Sequence, residues 1–271
     1  MLKFALCNEA FQDASWADTV RTVAATGYDG IEIAPFTLAD SVTDLSLSRR
    51  QELRRQAEDA GLDVVGLHWL FVSPKGLHAT TDDPLVRQQT TDYLQALVDF
   101  CGDLGGKVMV VGSPQQRNVQ PGVSPQVAWQ RFVDMIVACL DLAAARGVTL
   151  CMEALPPDQC NFVTTLAQAV EMVRQVNHPN FQTMFDVHNA HMETDPLPEL
   201  VRRYMPYLRH VHVNEMDGRY PGAGDFDFDA VLRVFREADF DGYISTEVFD
   251  FEPGAAFIAR EAIRHLKKTL A

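Results

Sequence analysis

Short apolar runs rich in valine, isoleucine and phenylalanine recur along the chain: KFALCN (residues 3–8), GIEIAP (30–35), DVVGLHW (63–69), KVMVVGS (107–113), TLCMEAL (149–155), QTMFDV (182–187), LRHVHVN (208–214) and YISTEV (243–248). They are continuous rather than alternating, the pattern of strands buried on both faces in a parallel sheet covered by helices. The stretches between them have helical spacing. In residues 82–105, Leu94, Leu97, Val98, Cys101 and Leu104 recur at steps of three and four and share one face. Helix punctuation agrees: Asp82 or Asp83 ahead of Pro84 suits an N-cap, Ser48 with Gln51 has the capping-box spacing, and Gly61, Gly147 and Gly242 are placed to close helices before the next strand. TGYDGIEIAP near the start and ADFDGYISTEV near the end share a helix-end, Asp-Gly, strand layout. Eight β-then-α units predict a single (β/α)8 barrel domain over residues 1–271. The competing architecture, an open doubly wound sheet with a dinucleotide site, lacks its GxGxxG after the first strand. Two longer β-to-α loops, residues 70–83 and 112–125, fall on the catalytic face of such a barrel.

Composition narrows the partners. Hydrophobic residues are 47% and charged residues 22% of the 271, so a sizeable core is available. The net charge of −14, from 37 acidic and 23 basic residues with no basic run, excludes a nucleic acid partner. The five cysteines are odd in number, widely spaced and mostly set in apolar stretches, which reads as reduced core thiols. MLKFALCNEAF is too short an apolar run for a secretory signal, and no 18-residue apolar segment occurs. A cytoplasmic protein with no membrane partner is expected.

Candidate chemistry gathers at the predicted strand ends. Glu153, Asp186, His212 and Glu247 lie at or near the C-terminal ends of predicted strands 5 to 8, so a barrel brings them to one rim. Three carboxylates crowded there repel and carry a desolvation cost, which calls for a cation. Three oxygen donors with one imidazole suit Mn2+, Mg2+ or Co2+, and the absence of thiolates argues against structural zinc. For any one of the acids alone, the plain alternative is an N-cap or an ion pair. His188, Asn189 and His191, just after Asp186, are placed to reach a substrate oxygen or to orient a ligand. His68, beside Trp69 at the end of strand 3, either faces the pocket or is a hydrogen-bonded core histidine, and Arg219 either clamps substrate or is a solvated loop residue. His210 and His212 are expected on opposite faces of their strand, with His212, nearer the rim, in the lumen. Glu32, taken to lie near the start of strand 2, is expected to have an interior structural role.

With these residues in place, MEALPP, FDVHNAHM, HVHVNEMDGRYPGAGDFDFDAVL and GYISTEV resemble the four metal-bearing strand ends of the xylose isomerase-like barrel superfamily, in the correct order and across nearly the whole chain. The likeness is to the sugar phosphate isomerase/epimerase branch, with its ketose 3-epimerases and hydroxypyruvate isomerases. It implies that Glu153, Asp186, His212 and Glu247 hold a divalent metal ion, that Glu153 and Glu247 are the catalytic acid/base pair, and that a proton moves through a metal-stabilised enediolate of a small carbohydrate. Substrate contacts are expected from His68, His188, Gln159 and Arg219, and a homo-oligomer is left open. The chain departs from the epimerase pattern at Gln159, where a glutamate is usual, at Asn189, where a histidine is usual, and at Arg219, one residue further from His212 than usual. The same residues would serve a metal-dependent lyase or dehydratase acting on an inosose or oxidised sugar. Apurinic endonucleases share the superfamily but need more metal ligands and a phosphate-tolerant surface. A degenerate, non-enzymatic binding barrel is the remaining alternative.

Overall fold

The structure is a computed structural model that describes residues 1–270. Its strands are β1 (Lys3–Cys7), β2 (Gly30–Ile33), β3 (Asp63–Leu67), β4 (Val108–Val111), β5 (Thr149–Met152), β6 (Phe181–Asp186), β7 (Leu208–Val213) and β8 (Tyr243–Thr246). Each pairs in parallel with the next, and β8 closes on β1. The α-helices are α1 (Trp16–Thr26), α2 (Leu47–Asp59), α3 (Pro84–Leu104), α4 (Pro114–Arg117), α5 (Pro125–Arg146), α6 (Leu166–Val176), α7 (Leu197–Tyr204), α8 (Phe228–Glu237) and α9 (Ala255–Thr269). This is the predicted (β/α)8 barrel. No helix among the described residues is long and apolar enough to cross a membrane. All five cysteines are free and buried.

Local chemistry starts and stops the helices. Asp83 caps α3, its Oδ1 accepting from the backbone N–H of Leu85 and Val86, with Pro84 in the first turn where no N–H is needed. Gly147 ends α5 in the left-handed conformation (φ 65°) that a side chain disfavours. Two expectations fail in detail. Helix α2 is capped by Ser46, whose Oγ accepts from the N–H of Arg49, because the chain is already helical at Leu47, which puts Ser48 inside the first turn. Gly242 closes no helix, since α8 ends at Glu237. A Cβ at Gly242 would lie 2.6 Å from the carbonyl oxygen of Arg209, so its role is close packing at the start of β8.

Most of the core lies between barrel and helices. A smaller apolar cluster of Ala5, Val65, Val108, Val110, Cys151 and Met184 fills the lumen. Above it the lumen turns polar, with Glu32, His210 and His212 fully buried. The opposite-face expectation for the two histidines is overturned: residues two apart in a strand point the same way, and both imidazoles meet Glu32 inside the barrel. Glu32 is interior as expected, but it is the third of the four residues of β2, closer to the catalytic rim than to the start.

Candidate active site

The period of two along each strand carries the lumen face outward. Following Cys151, Met184, His210 and Ser245, it arrives at Glu153, Asp186, His212 and Glu247, just where β5 to β8 end. Each of these four residues offers a ligand atom within 4.8 Å of the others. His212 Nδ1 is 3.2 Å from Glu247 Oε2 and 3.6 Å from Asp186 Oδ2. Neither that nitrogen nor Asp186 Oδ2, both buried, has a hydrogen-bond partner. Two buried polar atoms left without partners between three carboxylates are what a divalent cation would satisfy. The other imidazole nitrogen, Nε2, faces Glu32 at 3.2 and 3.3 Å, so its N–H is directed at that carboxylate and the Nδ1 lone pair is left for the site. The donor set fits the group.

Without a cation, the electrostatics set the four residues apart. Burial pushes the Glu153 carboxyl up to about 8, reinforced by Glu247 and Asp186. Burial likewise raises Asp186, beyond the relief from the nearby His212 imidazole. Glu247 moves the other way: burial would raise it, but the imidazoles of His212 and His68 outweigh burial and hold it as a carboxylate. Burial opposes a charge on His212, and Glu247 and Glu32 overcome it, raising the imidazole well above its usual range.

Neighbouring groups fix the carboxylates. Asn189 Nδ2 donates to Glu153 Oε1 at 2.9 Å while its backbone N–H donates to Asp186 Oδ1 at 2.9 Å. Trp69 Nε1 donates to Glu247 Oε1 at 2.8 Å. Gly112, one residue beyond β4, leaves the room Glu153 occupies, since a Cβ there would stand 2.1 Å from Glu153 Oε2. Arg117 is fully buried behind the site; its Nη1 donates to the carbonyls of Glu153 (2.7 Å) and Val111 (3.1 Å), and so pins the end of β5 to that of β4.

A cavity of about 400 Å3 opens above Glu153 and Glu247, walled by Trp69, Phe249, Lys75, Gln116, Gln159 and Asn189. The two loops expected on this face contribute Val72 and Lys75 from one and Ser113 to Gln116 from the other. A cavity of about 490 Å3 at the opposite, N-terminal mouth has Lys3, Arg54, Lys107 and Arg209 in its lining and none of the four clustered groups.

The four residues proposed for contact with substrate separate. Gln159 lines the cavity, and its Nε2 lies 3.1 Å from His188 Nε2, whose ring is held from the other side by the carbonyl of Met216 at 2.8 Å. His68 is sealed beneath the site, its Nε2 2.9 Å from Glu9 Oε2, and does not line the cavity. Arg219 is half-exposed on its loop and donates through Nε to Asp217 Oδ2 at 2.7 Å, also outside the cavity lining. The reading from sequence passed over Glu9, Gly112 and Arg117. Only Gly112 had a visible signal, as a glycine at a predicted strand end.

An eight-stranded parallel barrel with an acid and imidazole cluster at the C-terminal mouth defines a class of TIM-barrel enzymes. The chain belongs to the xylose isomerase-like TIM barrel family, whose profile matches residues 20–269. It is 24% identical over 241 residues to a D-psicose 3-epimerase of Ruminiclostridium cellulolyticum, covering 88% of this chain and 79% of that protein. It is 21% identical over 269 residues to a fructoselysine 3-epimerase of Shigella flexneri, covering 96% and 92% of the two chains. Among solved structures, D-psicose 3-epimerase in the presence of D-fructose superposes with a TM-score of 0.85 at 21% identity, covering 99% of each chain.

Proposed function

We propose that this enzyme is a metal-dependent epimerase of a small ketose or keto-sugar, with Glu153, Asp186, His212 and Glu247 holding the ion and Glu153 and Glu247 exchanging protons with the substrate. The observation that carries the proposal is the pair of partnerless buried atoms, Asp186 Oδ2 and His212 Nδ1, enclosed by the two glutamates. The 3-epimerases among the relatives support the sugar class. A divalent ion bound there, of the Mn2+, Mg2+ or Co2+ type, polarises a carbonyl and stabilises the negative charge that develops as a neighbouring C–H proton leaves.

The remaining work falls to side chains of the chain. Glu153 and Glu247 both line the cavity, so one is placed to accept a proton from the substrate and the other to return one. Taking the proton from one face of a carbon and returning one to the other inverts that centre. Asp186 and His212 take no proton from substrate and serve as ligands. Trp69 and Phe249 cover the apolar face of a sugar, and Gln159 and Asn189 offer amides to its hydroxyls.

The test is to dialyse the protein against chelator, restore Mn2+ or Co2+, and follow a panel of ketoses and keto-acids in D2O. Cation-dependent deuterium uptake at one carbon with inversion and unchanged carbon skeleton is expected, lost in Glu247→Gln. Products lighter by one water would replace the proposal with a dehydratase.

A further inference from the structure

Glu247, one of the proposed pair, has a second constraint that comes from the far side of the barrel mouth. Trp69 follows β3, and Glu247 follows β8; these strands are not neighbours in the closed order, so the 2.8 Å bond from Trp69 Nε1 to Glu247 Oε1 reaches across the mouth. Glu247 Oε1 is thereby occupied, and Oε2 is the oxygen left beside His212 Nδ1, 3.2 Å away.

The indole is itself held in place. Its backbone sits at φ 51°, in the left-handed region that costs a non-glycine residue and that persists where surrounding structure enforces it. Its ring is nearly parallel to those of Phe36 (centroids 5.9 Å, 14°) and Phe249 (6.1 Å, 8°). Phe36 follows β2 and Phe249 follows β8, so three loops form one stack that fixes the direction of the N–H. The donor is neutral. It can orient the carboxylate without adding a charge that would compete with a cation for it.

We propose that Trp69 is a positioning residue that holds Glu247 by Oε1, presenting Oε2 alone to the cation and to the substrate. This rests on the metal-centre reading of Glu153, Asp186, His212 and Glu247. A carboxylate freed from such an anchor can rotate and offer both oxygens to the ion, which changes the coordination and takes away the oxygen meant for the proton.

Two variants separate the N–H from the ring: Trp69→Phe, and replacement of Trp69 by β-(3-benzothienyl)alanine, which keeps the size and stacking of indole and lacks the N–H. Co2+ affinity by calorimetry and the Co2+ visible absorption spectrum provide readouts independent of turnover. Both variants are expected to bind Co2+ ten- to a hundredfold more weakly with an altered spectrum, and to lose kcat by a similar factor with KM little changed. An isosteric variant with the affinity, spectrum and kcat of the parent would overturn the role of the N–H while leaving the metal centre standing. A parent protein that takes up no Co2+ would overturn the metal centre and this inference together.

Discussion

The imidazole of His212 is shared between two sets of carboxylates: Nε2 lies 3.2 Å from Glu32 Oε1 inside the lumen, and Nδ1 lies 3.2 Å from Glu247 Oε2 at the rim. Glu32 also takes His210 Nε2 at 2.7 Å, so one buried carboxylate orients both rings. A carboxylate behind a ligating histidine sets its tautomer and basicity. Glu32→Gln should therefore weaken Mn2+ binding about 10–100-fold with the fold intact, since mutation of such groups costs that much. Glu32→Leu removes one partner of a buried charged cluster and should lower stability by roughly 3–5 kcal/mol. Calorimetric Mn2+ titration and urea unfolding of the two variants check this; a Gln variant with unchanged affinity refutes the orienting role.

Gly112 is a glycine for reasons of space. Its missing Cβ would stand 2.1 Å from Glu153 Oε2, with no other heavy atom closer than the 3.4 Å of the same carboxyl's carbon. Gly112→Ala should displace the carboxylate and leave the barrel folded, at a cost of about 1–3 kcal/mol for overpacking. Turnover should fall more than tenfold while the thermal midpoint shifts by only a few degrees. Steady-state kinetics and melting curves of the one variant test both halves, and parental turnover would show that Glu153 has slack.

The stability of the metal-free protein should depend on pH in a particular direction. Glu153, raised from its ordinary 4.5 to about 8, retains its proton in the folded state at pH values where the unfolded chain has released it. Its contribution is therefore complete below its unfolded value and is lost as pH rises through the folded one. Asp186 and His212, also raised, act in the same sense, while Glu247, lowered, opposes them weakly. Chelated protein should melt at progressively lower temperature from pH 5 to 8, Mn2+ should reverse the trend, and Glu153→Gln should flatten it. A melting temperature that climbs over that interval in the chelated parent contradicts the assignment.

The sequence by itself determined the eight strands, their parallel pairing and the rim to which Glu153, Asp186, His212 and Glu247 belong, because continuous apolar runs and strand-end acids are local patterns that survive without coordinates. Glu32 and His210 were visible as residues, but their meeting with His212 was not, since it depends on which way each side chain turns inside a closed cylinder. The reach of Trp69 across the mouth to Glu247, the hold of Asn189 on Glu153 and the room left by Gly112 were decided by the tertiary structure alone. Each joins residues far apart in the chain through a hydrogen bond or a contact of a few ångströms, and no spacing along a sequence encodes a distance across a barrel. The same holds for His68 and Arg219, which look alike as polar residues near strand ends: closure of the sheet buries one against Glu9 and leaves the other half-exposed with Asp217.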